Sequence, residues 1–133
     1  EHLDKYRNIL NDNFISNVKW ITEYIPDDLI SSYFSCCDYV VLPYKTASQS
    51  GIIPMAYYYN KPVITSDLLG LKEMVIDGQT GHIFNNCDID SLTKILQNCI
   101  KGRNNVDYSQ IDKFKNKIST KKYVKQLLLF INE

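Results

Sequence analysis

The feature that most constrains the fold is a pair of short apolar runs that lie between helical patterns. One run covers residues 39–42 and stops at Pro43, and the other begins at Pro62 and continues to Thr65. Continuous apolar runs of this length are typical of strands that are buried on both faces of a parallel sheet. Because helical patterns separate them, the sequence predicts an α/β fold, a Rossmann-like parallel sheet with helices on both faces.

The apolar pattern along the whole chain predicts a single domain, residues 1–133, with four strands and six helices. The strands are expected at 18–21, 39–42, 62–65 and 82–84. The helices are expected near 3–10, 26–37, 51–60, 70–75 and 89–100 and, after a polar stretch that follows Gly102, from a cap at Ser119 and Thr120 onward. Because the chain opens on a helical pattern, we also expect an earlier strand upstream of it.

The composition excludes several classes of protein. The chain has 133 residues, of which 44% are hydrophobic and 23% charged, and its formal net charge is zero. These values fit one globular domain and argue against disorder, and the lack of a basic surplus argues against nucleic-acid binding. No apolar run approaches the roughly 20 residues that span a bilayer, and no secretory signal opens the chain. We therefore expect a cytoplasmic location.

The four cysteines, at positions 36, 37, 87 and 99, lack the paired spacing of a zinc site. We expect them to be buried, reduced thiols and expect no metal. The two histidines lie far apart in the sequence, and His82 falls in a predicted strand, where we predict a structural role.

The charge is concentrated at the carboxyl end of the chain. Residues 101–133 carry 8 basic and 3 acidic side chains, whereas residues 1–100 carry 7 basic and 12 acidic ones. Three interpretations stay open for the basic amphipathic helix that is expected to end the domain. It is a solvated face, a surface for peripheral contact with an anionic membrane, or a helix that crosses to another lobe.

The loop between Pro43 and Gly51 is the strongest candidate for a binding site. It follows a predicted strand, and ligands of doubly wound sheets bind at the carboxyl ends of the strands. Its last residues, Ser50 and Gly51, open a helix whose first amides lack intrahelical partners. Since glycine lets a ligand approach the backbone closely, this corner predicts a site for a phosphate or diphosphate. A helix cap without any ligand is the alternative.

Several familiar signatures are absent. The chain contains neither the GxGxxG nor the GxxxxGK[ST] motif of nucleotide binding, and it lacks the GxSxG motif of hydrolases. A flavodoxin-like or receiver-like domain is also disfavoured. Such a domain predicts a phosphate loop after the first strand or an acidic cluster at the strand ends, and the sequence has neither.

Four motifs follow one another in order: CDYVVLP at 37–43, SGIIPMA at 50–56, NKPVITS at 60–66 and GLKEMVIDGQTG at 70–81. With them, the stretch from residue 18 to about residue 100 resembles the nucleotide-sugar-binding domain of group 1 glycosyltransferases, a retaining family with the GT-B fold. The order and spacing agree over more than half of the chain. The resemblance implies the truncated second lobe of a two-domain enzyme.

The resemblance also implies a ligand and its contacts. The donor substrate would be a nucleotide-diphosphate sugar, held without a cofactor or metal, and the missing N-terminal lobe would bind the acceptor. The residues placed at the donor by this resemblance are Gln49, Ser50, Gly51, Ile52 and Met55, with Tyr24 and Ile25 beside the base.

The chain departs from the family pattern at the positions of two glutamates, which are Ala47 and Met55 here. Neither side chain can accept a hydrogen bond as a carboxylate does. Leu69 replaces the first glycine of a family pair, whereas Glu73 matches a family glutamate. The basic pair that grips the diphosphate is expected upstream of the chain, and no catalytic residue is assigned.

Two functions from different classes follow. The first is the donor-binding lobe of a glycosyltransferase that moves a sugar from a nucleotide-diphosphate sugar to a hydroxyl acceptor with retention, as in glycan or polysaccharide biosynthesis. The isolated lobe is expected to be inactive. The alternative is a non-catalytic Rossmann-like interaction module that has lost its donor contacts.

Overall fold

The centre of the fold is a sheet of parallel strands. The computed structural model describes residues 3–103 and 106–117. Within these residues the strands are β1 (Val40–Leu42), β2 (Val63–Ser66) and β3 (Gly81–Phe84), in the spatial order β1-β2-β3.

The middle strand is enclosed on both sides. Val63 pairs with Val40 of β1 and with Gly81 of β3, so the three strands run in parallel register. A Cβ at Gly81 would collide with the backbone carbonyl of Val63, which explains the glycine at this position. All four residues of β2 are buried. Because neighbouring side chains of a strand point to opposite faces, both faces of the sheet are covered, and the predicted α/β class is confirmed.

Six helices accompany the sheet within the described residues. They are α1 (Leu3–Asp12), α2 (Asp27–Cys36), α3 (Ile52–Tyr58), α4 (Leu69–Lys72), α5 (Ile89–Ile100) and α6 (Tyr108–Lys117). Helix α3 packs against α6, α4 lies against β2, and α5 lies against β3. The local sequence explains where two of these helices begin. Pro26 precedes α2, whose first turn carries two aspartates at the positive end of the helix dipole, and the side chain of Asp88 caps α5 by accepting from the Ser91 amide.

The hydrophobic core lies between α3, the sheet and α6. Ile53, Ala56 and Tyr57 of α3 are fully buried there together with Leu71 and Ile111. The apolar spacing of these residues along α3 is what turns one face of this short helix inward.

The strand expected at 18–21 is wrong. This segment forms no ladder with β1, and Val18 stays 49% exposed. Its Trp20 ring instead lies 5.9 Å from the ring of Tyr6 on α1. Helix α1 itself has no buried residue. Within the described residues the sheet therefore has three strands, and β1 is its edge.

One expectation about the helices needs correction, and another lies beyond the described residues. The polar stretch after Gly102 contains α6, which buries Ile111 and sets the Phe114 ring edge-on to that of Tyr57, with the ring centroids 5.3 Å apart. One buried residue per two turns is too weak a pattern to stand out in a lysine-rich segment. The final helix expected from Ser119 onward lies outside the described residues.

The expectation of four buried thiols is also wrong. Cys36 and Cys87 are exposed, and Cys37 and Cys99 are half-buried. Cys36 ends α2 and Cys87 lies in the turn before α5, so both occupy the ends of elements rather than the core.

Candidate functional site

The loops that follow the three strands are joined by side-chain hydrogen bonds. The Ser66 hydroxyl donates to the Tyr44 carbonyl oxygen at 2.8 Å. The side-chain amide of Asn86 donates to the Lys45 carbonyl oxygen at 3.0 Å, and its backbone amide donates to the Asp67 carboxylate at 2.8 Å. The carboxyl edge of the sheet is thus one connected surface, which is where ligands bind in this class of fold.

The start of α3 is open to solvent, as a close approach by a ligand requires. Gly51 is exposed, its φ is −69°, and no atom lies within 4 Å of the point where a Cβ would stand. Ser50 is buried, and its hydroxyl already accepts the Ile52 amide at 3.2 Å. Pro54 has no N–H to offer. This corner therefore presents fewer amides than a regular helix start.

A second glycine fixes the middle of the same loop. A Cβ at Gly70 would collide with the backbone carbonyl of Ser48, so α4 and the loop approach each other backbone to backbone. Leu69, next to it, points outward and is 78% exposed. Its side chain therefore does not fill the space between the two segments.

A cleft of about 590 Å³ runs along the outer side of β1, between α2 and α3. Four of the seven predicted donor residues line it. These four are Tyr24, Ile25, Ile52 and Met55. The other three, Gln49, Ser50 and Gly51, lie in the adjoining loop and do not line the cleft. Tyr24 and Ile25, which the resemblance places beside a base, thus line the same cavity as the first turn of α3.

Most of the remaining cleft wall was not anticipated. Ile30, Tyr33 and Phe34 of α2 line the cleft, although their helical spacing predicts an ordinary core face. A core face and a cleft wall differ in what covers them. Within the described residues no strand lies beside β1 on this side, so this apolar face of α2 is left uncovered. Glu23 supplies a carboxylate at the rim of the same cleft.

Burial affects two titratable groups that line the cleft, Cys37 and Tyr39. Burial raises the pKa of Tyr39 to about 12, with Cys99 as the next cause. Burial also raises the pKa of the Cys37 thiol, which Lys61 opposes in part. This thiol and this phenol are therefore protonated at neutral pH.

A smaller cavity of about 320 Å³ lies at the carboxyl edge itself, where Lys45, Asn86 and Cys87 meet the start of α5. Cys87 has a φ of +60°, the left-handed conformation that few residues other than glycine adopt. The turn that carries Asn86 and Cys87 is therefore tightly constrained.

The two positions that depart from the family glutamates occupy different surroundings. Ala47 packs against the core, whereas Met55 faces the cleft. Glu73, which matches a family glutamate, is exposed at the end of α4.

Neither a metal cluster nor a membrane-spanning helix is found in residues 3–103 and 106–117. No three His, Cys, Asp or Glu side chains there are grouped so that they could hold a metal ion. No helix there combines the length and apolarity that crossing a bilayer requires. The basic segment beyond residue 117 is not described, so its membrane contact stays a prediction.

The protein is thus an α/β domain whose parallel sheet has a connected carboxyl edge and a cleft beside β1. The particular family follows from comparison with known proteins. The family model described as glycosyl transferases group 1 matches residues 2–101, and the chain belongs to this family. No curated protein matches the chain.

Among solved structures, the chain is similar to Anabaena Alr3699/HepE, whose crystal structure was determined in complex with UDP-glucose. The TM-score is 0.67 at 17% sequence identity. The match covers 87% of this chain and 36% of the HepE chain, so the chain spans about a third of that protein's length. At this identity the likeness shows a shared fold.

Proposed function

We propose that the chain is the donor-binding lobe of a glycosyltransferase. The complete enzyme would move a sugar from a nucleotide-diphosphate sugar to a hydroxyl acceptor with retention, in glycan or polysaccharide biosynthesis. Family membership supports sugar transfer in general. The observation that carries the donor assignment is the single cleft that unites Tyr24, Ile25, Ile52 and Met55 beside the open Gly51.

The walls of the cleft suit the nucleoside part of a donor. Ile25 and Met55 offer apolar contact to a base, and apolar walls with few polar groups are typical of such sites. Tyr24 is 81% exposed, and its hydroxyl donates to the Asp27 carboxylate at 3.0 Å, which orients the ring at the rim. The UDP-glucose bound to HepE makes a uridine nucleotide the first donor to test.

The diphosphate would then lie toward the loop that ends at Gly51. Its charge needs hydrogen-bond donors, and the exposed backbone around Gly51 together with the side chain of Gln49 can supply them. Because Ser50 already occupies the Ile52 amide, further positive charge must come from outside this surface. We assign it to a basic pair upstream of this chain, and for this reason the lobe alone should not transfer sugar.

A non-catalytic interaction module is the second candidate, and Met55 favours it. This side chain faces the cleft where the family pattern has a carboxylate, and a thioether is at best a weak acceptor. A lobe that has lost this contact could persist as a binding partner of other proteins.

Titration of the isotopically labelled chain with UDP and GDP separates the two candidates. For the donor lobe we expect amide shifts at Gly51 and Ile52 and methyl shifts at Ile25 and Met55, while Ile111 in the core stays unchanged. UMP is the matched probe for the diphosphate and should shift the cleft methyls but move Gly51 less. Absence of shifts with UDP and GDP would contradict donor binding and favour the interaction module.

A further inference from the structure

We propose that Asn86 is a positioning residue for the donor loop, defined here as residues 43–51. The inference rests on the proposed function, because it concerns how Gly51 is presented to a nucleotide. Asn86 does not line the cleft. It acts from the turn after β3 by holding the backbone at the start of the donor loop.

Two successive carbonyl groups of the donor loop are held from neighbouring strands. The Ser66 hydroxyl, at the end of β2, donates a hydrogen bond to the Tyr44 carbonyl oxygen at 2.8 Å. The Asn86 side-chain amide donates a hydrogen bond to the Lys45 carbonyl oxygen at 3.0 Å. Ser66 is fully buried at the end of its strand, so its bond belongs to the core. Asn86 is half-buried, so its bond can be removed without opening the core.

The backbone on both sides of Asn86 is itself held by hydrogen bonds. Its backbone amide donates to the Asp67 carboxylate at 2.8 Å, and the Asp67 amide donates to the Phe84 carbonyl oxygen at 2.9 Å. On the other side of Asn86 the chain turns through the left-handed Cys87, and the Asp88 amide donates to the Asn85 carbonyl oxygen at 3.1 Å. This constrained backbone places the Asn86 side-chain amide within hydrogen-bonding reach of the Lys45 carbonyl oxygen.

After Lys45 the donor loop has no regular secondary structure, and besides the Asn86 bond it is held by the packing of Ala47 against the core and by the burial of Ser50. The backbone of Ser48 lies close to that of Gly70. Without the Asn86 bond the loop could pivot about this contact, and Gly51 would sample a wider range of positions. A nucleotide would then have to order the loop when it binds, which weakens affinity while the fold is unchanged.

The test compares Asn86→Ala and Asn86→Asp with Asn85→Ala in the chain as it stands. Aspartate keeps the size of Asn86 but, when ionised, cannot donate to a carbonyl. Asn85 is the matched control, since it lies in the same turn and its side-chain amide bonds Asp88 at 3.4 Å instead of the donor loop. The measurements are the UDP dissociation constant, amide hydrogen exchange of residues 46–50 and the midpoint of thermal unfolding.

Both Asn86 variants should bind UDP about threefold to tenfold more weakly, the range expected for one hydrogen bond. Amide exchange in residues 46–50 should be faster in these variants, and their thermal midpoints should match that of Asn85→Ala. Asn85→Ala should bind UDP as the unaltered chain does.

The inference would be overturned by unchanged UDP affinity in Asn86→Asp, or by an equal loss of affinity in Asn85→Ala. If the unaltered chain binds no nucleotide, it is the proposed function that has failed. In that case the exchange rates of residues 46–50 still decide whether Asn86 holds the loop, because they are measured without ligand.

Discussion

The hydroxyl oxygen of Tyr57 lies 2.8 Å from the hydroxyl oxygen of Thr80, and both side chains are fully buried. The Tyr57 oxygen is also 3.0 Å from the Met74 carbonyl oxygen, and the Thr80 oxygen accepts the Ile76 amide at 2.9 Å. This polar network fastens α3, whose first turn borders the cleft, to the turn that precedes β3. Burial raises the pKa of Tyr57 to about 12, and the hydrogen bond between Tyr57 and Thr80 opposes this rise in part, so the phenol is neutral at physiological pH.

Replacing Tyr57 with phenylalanine should lower the free energy of unfolding by about 1–2 kcal/mol, because the network then loses its central group while its neighbours stay buried. Urea unfolding at neutral pH measures the change. Tyr58→Phe is the control, since the Tyr58 side chain is 66% exposed and should lose almost nothing. Equal stabilities of the two variants would contradict a structural role for the network.

The stability of the domain should also depend on His82 in mild acid. Burial lowers the pKa of this histidine below its usual 6.5, and Asp77, whose carboxylate lies 3.7 Å from Nδ1, opposes the shift in part. Nε2 is buried and has no hydrogen-bond partner within residues 3–103 and 106–117. The unfolded state therefore binds a proton more readily than the folded state does. Because of this difference, the stability that is present above pH 6.5 is lost as the pH falls through the pKa of the folded state.

Urea unfolding at several values between pH 7.5 and pH 5 tests this dependence on the unaltered chain and on His82→Gln. The glutamine does not titrate, so its stability should change less over this range. Parallel pH profiles for the two proteins would show that His82 does not contribute.

The sheet could be predicted from the sequence because its strands are specified locally. The runs at 39–42 and 62–65 are apolar, β-branched and bounded by proline, and both became strands. The run at 18–21 has similar residues but is no strand. A strand also requires a neighbouring edge and a covering layer, and neither requirement is written into four residues of sequence. Helix α6 was missed for a related reason, since its core contact is mainly Ile111.

The candidate site divides in the same way. Gly51 could be singled out because glycine at a helix start has a local meaning. The wall formed by Tyr33 and Phe34 could not, since a helical stripe looks the same whether it faces a core or a cleft. The hydrogen bond from Asn86 to Lys45 joins residues 41 positions apart, and the local sequence around either residue does not predict it.

Gly51→Ala should separate stability from binding. Its φ of −69° suits any residue and the space beside it is open, so alanine should leave stability unchanged or raise it by about 0.5 kcal/mol. The added methyl group would stand where the diphosphate approaches, so UDP should bind more weakly.

Gly78→Ala is the matched opposite of this variant. The space beside Gly78 is also open, but its φ of +71° is strained for alanine. This variant should lose about 1 kcal/mol of stability and bind UDP normally. Calorimetric titration with UDP and thermal unfolding of both variants measure the two effects, and weaker UDP binding in Gly78→Ala alone would contradict the assignment of Gly51.

Met55→Glu should restore a polar contact that the cleft lacks. Met55 is half-buried on the first turns of α3 and faces the cleft, so a carboxylate there could accept a hydrogen bond from a ribose hydroxyl. Charge-assisted bonds are among the stronger ones, and we expect UDP to bind about tenfold more tightly. Met55→Leu keeps the wall apolar and should bind as the unaltered chain does. Calorimetry with UDP measures the difference, and weaker binding in Met55→Glu than in Met55→Leu would place the ribose outside this cleft.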